Sequence, residues 1–331
     1  MRRTRTGGAA DDSVDAKKSK QTTDNETKKS KQTTDDEMKT RAYWTRQCDM
    51  ATAGMSGVRL MTTGDWIAEY DVNGQNEDLF EGFRKLYERF NREGLGREEA
   101  ALIPRVEDVA ESPVLCGGEF YDGIALYFVL VQEEEGARLI KNKTRKTQRN
   151  VKAGWPLAFA LVYRLWPKLE TDTRAKLPFT YLCHLAADAN FAGFGKMLIN
   201  LLKNMFSDTV VCLEISIDDS DKYSISRQRA IFNLGAFYES LGFIFICNLE
   251  EESQLKKFFA GAYRSKWMNI NVSGFRPMNL LDVDPTKGKW MVLPPTAAVL
   301  VPPASEKPQA SEKLPASEKL GLYRSHVRRR R

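Results

Sequence analysis

Apolar residues are concentrated in the middle of the chain, and their spacing changes from segment to segment. Ile124–Val131 (IALYFVLV) is continuously apolar, and Trp155–Leu165 (WPLAFALVYRL) nearly so. Runs of this kind suit strands buried on both faces. Val58–Thr62 predicts an earlier strand. Leu79, Phe80, Phe83, Leu86, Tyr87 and Phe90 recur at three and four, which predicts a helix. Asn76 or Asp78 is its expected N-cap, with Gly94 just past its end. A less periodic helix is predicted from Arg97 to about Val109. Thr180–Leu185 (TYLCHL) and Val210–Ile217 (VVCLEISI) predict strands on either side of a strongly patterned helix. In that helix Phe194, Met197, Leu198, Leu201, Leu202 and Met205 form the apolar stripe, leaving Lys196, Asn200, Lys203 and Asn204 outside. A further helix closes with YESLGF, Tyr238 to Phe243. Phe243–Cys247 and Trp267–Val272 then read as two final strands.

The flanks are different. Residues 1–50 hold few core formers and repeat KKSKQTTD at Lys17–Asp24 and Lys28–Asp35. Such a segment cannot bury enough apolar surface to offset the entropy of ordering it, so it is expected to be a disordered tail. Residues 276–331 are expected to behave likewise, with ASEK recurring from Ala304, prolines at 302, 303, 308 and 315, and a terminal HVRRRR. One folded domain is therefore expected over about residues 55–275.

No run approaches the roughly 20 apolar residues that span a bilayer. Arg2, Arg3 and Arg5 have no apolar stretch behind them, so no secretory signal is read there. Five cysteines without regular spacing indicate neither a disulfide framework nor a metal site. A reducing, cytoplasmic or nuclear location is the expectation, with no membrane partner. The net charge is +6, but seven of the basic residues crowd into Arg138–Lys152 without an acid among them. This run and residues 328–331 read first as solvated, and second as contacts for nucleic acid or an acidic partner.

The helix after Leu185 is entered through NFAGFGK, Asn190 to Lys196. A glycine turn opening a helix presents backbone N–H groups that can hold a phosphate. Gly193 and Gly195 let that backbone approach a ligand without a Cβ in the way. Strand, glycine turn, helix, strand, and a helix ending in Tyr-x-x-x-Gly-Phe together resemble the GNAT superfamily of acyl-CoA N-acyltransferases. That family writes its pyrophosphate turn Q/R-x-x-G-x-G/A. Asn190 stands where the family has Arg or Gln, and Asn233 lies five residues before Tyr238 where the family's helix asparagine lies seven before. The resemblance covers about residues 55–275, with specific motifs from 180 to 243.

The resemblance implies an α/β fold with a mixed, mostly antiparallel sheet flanked by helices. It also implies direct transfer of an acetyl group from acetyl-CoA to a primary amine, either a protein lysine or N-terminus or a small molecule. Asn190, Phe191, Ala192, Gly193, Phe194, Gly195 and Lys196 would hold the pyrophosphate. Leu185 aligns with the residue that pairs with pantetheine, and Cys183 with the one whose N–H faces the thioester oxygen. Tyr238 would be the general acid and Tyr181 a proton relay, with Glu214 a further candidate base. Strand alternation puts His184 on the face opposite Tyr181 and Cys183, so His184 is expected to be a core residue and no Cys183–His184 pair is expected. Two other readings remain open: a GNAT-fold interaction module without catalysis, and a basic nucleic-acid-associated protein.

Overall fold

The computed structural model describes residues 36–70, 76–93, 112–139, 148–168, 177–188, 190–215, 225–272, 278–281 and 283–294. In chain order the elements are α1 (Arg41–Thr52), β1 (Val58–Thr62), α2 (Thr63–Tyr70), α3 (Glu77–Glu93), β2 (Val114–Gly117), β3 (Tyr121–Gln132), β4 (Gly136–Leu139), β5 (Gln148–Val151), β6 (Pro156–Pro167) and β7 (Phe179–Ala187). There follow α4 (Phe194–Met205), β8 (Val210–Glu214), α5 (Ile225–Glu239), β9 (Ile244–Phe245), α6 (Gln254–Arg264), β10 (Asn269–Val272), β11 (Met278–Asn279) and β12 (Trp290–Leu293).

The main sheet runs β11-β10-β2-β3-β6-β7-β8-β12-β9, with β1 also paired to β3. Among the described residues only β7 and β8 pair in parallel; the other pairings are antiparallel. The chain is thus α/β, with a mixed, mostly antiparallel sheet between helices. The two long apolar runs became β3 and β6, side by side at its centre. Their alternation splits the apolar interior in two. Ala125, Tyr127, Val129 and Val131 face a core closed by α2, α3 and α6; Ile124, Leu126, Phe128 and Leu130 face one closed by α1 and α4.

Two tail boundaries need correction. The expected disorder of residues 1–50 fails from Asp36 onward, because α1 is capped and buried. Thr40 accepts the Tyr43 N–H at 3.3 Å, and Trp44 (2% exposed) lies edge-on to Phe128 and tilted against Phe206. Trp44, Cys48 and Thr52 are the buried residues of α1, with Tyr43 and Ala51 packed beside them, and these few contacts fix a helix that is otherwise largely polar. At the other end, the expected tail from residue 276 supplies β11 and β12. Strand β12 inserts between β8 and β9, pairing Trp290 with Glu214 and Met291 with Phe245. The segment expected as the last strand, Trp267–Val272, instead provides β10, which pairs with β2 toward the opposite edge of the sheet. The helix expected over 97–109, the tip of the basic run, and the repeats near both ends lie outside the described residues. Among the described residues no helix is long and apolar enough to cross a membrane.

Candidate functional site

Strand β7 delivers the chain to the glycine turn. The turn is organised by a carboxylate the sequence reading passed over. Asp188 is buried, and its Oδ1 accepts from the Asn190 backbone N–H at 2.9 Å and from Asn190 Nδ2 at 2.8 Å. Its Oδ2 accepts from Trp155 Nε1 at 3.3 Å, and its backbone carbonyl takes the Phe191 N–H. A D-x-N spacing is the sequence signature of such a turn. Asn190, expected at the diphosphate, has its amide Nδ2 committed to holding the turn together through Asp188. The Phe191 ring is likewise buried against Phe194, at 6.4 Å between centroids. Ala192, Gly193 and Lys196 stay exposed.

Gly193 has φ +93° and starts α4 as its N-cap, without a capping side chain. A Cβ built there meets nothing within 4 Å, so glycine answers the left-handed backbone rather than crowding. At Gly195 a Cβ would meet that of Ala187 at 3.4 Å, an ordinary contact, so packing leaves room for a side chain there. Met197 is the first α4 residue to donate into the helix ladder, to the Gly193 carbonyl at 2.9 Å. Phe194, Gly195 and Lys196 precede it with N–H groups that have no acceptor inside the helix. No acid occupies this first turn.

Part of the basic run folds as a two-stranded ribbon beside the turn. Arg138 on β4 pairs directly opposite Arg149 on β5. The Arg138 guanidinium donates to the Gly57 carbonyl at 2.6 Å and to Gln132 Oε1, and lies over the Phe194 ring at 5.0 Å. Arg149, exposed, lies over the Trp155 ring at 5.4 Å. A cavity of about 300 Å³ opens between this ribbon and α3, its walls including Lys85, Arg149, Lys152, Trp155 and Phe191.

Parallel pairing between β7 and β8 covers only Phe179–Tyr181 against Val210–Cys212. Beyond Tyr181 the two strands part, while β7 stays paired with β6 up to Ala187. Register on the β6 side shifts between Leu161, opposite His184, and Val162, opposite Leu182. Cys183 is the extra residue of a β-bulge there. The bulge overturns the alternation argument for His184. Leu182 and Leu185 both pack on the α4 side, and His184 pairs with Leu161, which belongs to the opposite core. His184 therefore shares a face with Tyr181 and Cys183. Its Nε2 lies 3.5 Å from the Cys183 Sγ. The pair is not an activated nucleophile, because burial pushes the Cys183 thiol up and pushes His184 down to about 3, so both are neutral.

On that face Tyr181 lies stacked on Tyr163 at 6.5 Å and tilted against Trp290 at 5.3 Å. Trp290 is 1% exposed, and its Nε1–H has no hydrogen-bond partner among the described residues. Glu214, opposite Trp290, has the same parity on β8 as Cys212, which lies in that core. Its charge contributes to the raised thiols of Cys183 and Cys212, after their burial. The sequence reading missed Trp290 because it had assigned that stretch to a tail. A four-residue apolar run, WMVL, was its only signal.

Tyr238 packs on the other face, with α4. Its ring meets Phe237 at 5.1 Å and Phe243 at 5.8 Å, and burial pushes its hydroxyl up to about 12. The YESLGF ending has a complete backbone explanation. Gly242 has φ +91°, its N–H donates to the Glu239 carbonyl at 2.9 Å, and the Phe243 N–H donates to the Tyr238 carbonyl at 3.2 Å. This is a Schellman stop, and the Tyr238–Phe243 contact is the apolar pair that accompanies it. The structure thus gathers Tyr181, Cys183 and His184 on one face, the turn residues at the end of β7, and Tyr238, partly buried, against the core of the other face.

Among the described residues no group of His, Cys, Asp and Glu side chains is placed to hold a metal ion. No family model matches the chain, and no curated protein matches it significantly.

Proposed function

We propose that the chain is an acyl-CoA-dependent N-acyltransferase of the GNAT type, transferring an acetyl group from acetyl-CoA directly to a primary amine. The observation that carries this reading is the parting of β7 from β8 beyond Tyr181, on a strand that leads into a phosphate-competent turn. An extended amide chain such as pantetheine can lie along a strand edge and take backbone hydrogen bonds as an added strand would. The residues fit such a ligand along its length. Cys183 and Leu185 would offer backbone groups to the pantetheine, and the first N–H groups of α4 would face the diphosphate, with Lys196 and Arg138 adding positive charge.

The bulge at Cys183 turns that stretch of backbone out of regular register. A backbone N–H there would stabilise charge on a thioester oxygen without reorganising. Tyr238, with its hydroxyl pushed up to about 12, keeps its proton at neutral pH. Complete transfer to a thiolate of pKa about 8.5 would be uphill by about 5 kcal/mol. Tyr238 accordingly serves as hydrogen-bond donor to the departing sulfur, with full protonation following from solvent.

The amine must also lose a proton. A lysine-like amine, pKa about 10.4, is neutral about one time in 2,500 at pH 7, a cost near 4.6 kcal/mol. His184 cannot help much, since burial holds it neutral and weakly basic. Glu214 is the carboxylate on the correct face, and Tyr181 would pass the proton toward it through water. Calorimetry with acetyl-CoA, followed by thiol release across polyamines, amino acids, aminoglycosides and lysine peptides, tests the proposal. Binding without transfer to any amine supports the second reading, a cofactor-binding interaction module; the engagement of Asn190 with Asp188 favours that reading.

A further inference from the structure

The two facing arginines of the ribbon call for a ligand of their own. Like charges directly opposite in an antiparallel pair destabilise it. Among the described residues neither Arg138 nor Arg149 forms an ion pair with a carboxylate. The two acids that line the cavity are already engaged: Asp78 with Lys152, and Glu81 with Arg84 and Lys85. The ribbon therefore keeps a local surplus of positive charge at a cavity whose walls include Arg149, Trp155 and Phe191. Each guanidinium also lies over a ring, Arg138 over Phe194 at 5.0 Å and Arg149 over Trp155 at 5.4 Å. A guanidinium held against a ring has already lost part of its rotational freedom, which suits it to two-point recognition of a phosphate.

We infer that this cavity takes the adenosine 3′-phosphate end of coenzyme A, with Arg149 as the contact to the 3′-phosphate. The inference rests on the acyl-CoA reading above and adds a specificity to it. About 300 Å³ suits a nucleoside phosphate and is too small for a whole coenzyme, leaving the diphosphate to the neighbouring turn. Trp155 and Phe191 give the base an apolar surface. Phe191 belongs to both sites, lining the cavity and lying in the glycine turn. Arg138 supports the arrangement from across the ribbon, with its guanidinium fixed on the Gly57 carbonyl and Gln132.

Calorimetry on the full chain with CoA and with 3′-dephospho-CoA decides the matter. The parent should bind CoA about 10–100-fold more tightly, the worth of one charge-assisted phosphate contact. Arg149→Ala should lower CoA affinity to that of the dephospho form and leave dephospho-CoA unchanged, while Arg149→Lys should restore part of the difference. Arg149 is exposed, so its replacement leaves the core intact, and matching thermal melts would verify this. Equal parent affinities for the two ligands, or an Arg149→Ala loss shared equally between them, would overturn the 3′-phosphate site and leave the acyl-CoA reading standing. Binding of neither ligand would overturn both.

Discussion

Gly193 and Gly242 have nearly the same φ, +93° and +91°, at opposite kinds of helix end. At Gly242 the left-handed residue closes α5: two backbone hydrogen bonds and a ring contact complete the stop. At Gly193 it opens α4, and the first-turn N–H groups that follow have no acceptor within the helix. The same dihedral satisfies the polar backbone at one end and exposes it at the other. The difference teaches that a glycine signature has to be read with the polarity of the helix it borders. Gly-Phe after a helix is sufficiently explained as a stop, whereas a glycine turn before one offers unmet hydrogen-bond donors.

Four substitutions would break or sharpen that contrast. Tyr238→Phe keeps the ring that packs on Phe243 and removes only the hydroxyl. If Tyr238 does no more than complete the stop, nothing changes. The acyltransferase reading expects kcat to fall by roughly 10–150-fold, the worth of one hydrogen bond to developing charge, at unchanged acetyl-CoA affinity, measured with any amine the screen identifies. Gly195→Asp places a carboxylate in the first turn of α4, where the helix dipole tolerates it but a diphosphate would not. Acetyl-CoA affinity should drop by at least about 100-fold in calorimetry, with little change in melting temperature.

Gly242→Ala should cost about 1–2 kcal/mol in denaturant unfolding, since a Cβ there is strained by the left-handed backbone, and acetyl-CoA binding should persist. Gly193→Ala should cost stability similarly but weaken binding as well. Equal binding in both variants would erase the distinction between the two ends.

The smallest effect tests the strand that leads into the turn. His184 is held near 3, below its usual 6.5, so the unfolded chain binds the extra proton. That contribution is fully present above pH 6.5 and is lost as pH falls toward 3. By pH 5.5 the loss amounts to about 1.4 kcal/mol. His184→Gln should flatten the pH dependence of stability by about that amount between pH 7.5 and 5.5, and an unchanged slope would show that His184 is not buried neutral.

The elements buried on both faces were legible from the sequence. IALYFVLV and WPLAFALVYRL could hardly be anything but central strands, and the α3 and α4 stripes have the period of their helices. What escaped depended on partners distant in sequence. Trp44 and Cys48 mark α1 only because Phe128 and Phe206 are there to receive them. Strand β12 is four residues followed by prolines, too short to register without β8 and β9 on either side. The bulge at Cys183 has no local signature, being set by how β7 pairs with β6. It altered the site most, bringing His184 round to the face of Tyr181. The turn itself was readable, but the Asp188 carboxylate that organises it and engages the Asn190 amide was not.

The late position of β12 also matters during synthesis on the ribosome. When residue 280 has been added, every other strand of the sheet has been translated, yet β8 and β9 each still present the edge that β12 will cover. An uncovered strand edge is a template for pairing with another chain. The nascent protein therefore passes through a stage in which its own last strand competes with intermolecular pairing. A holding chaperone, or rapid release of the chain past Leu293, would favour the native outcome.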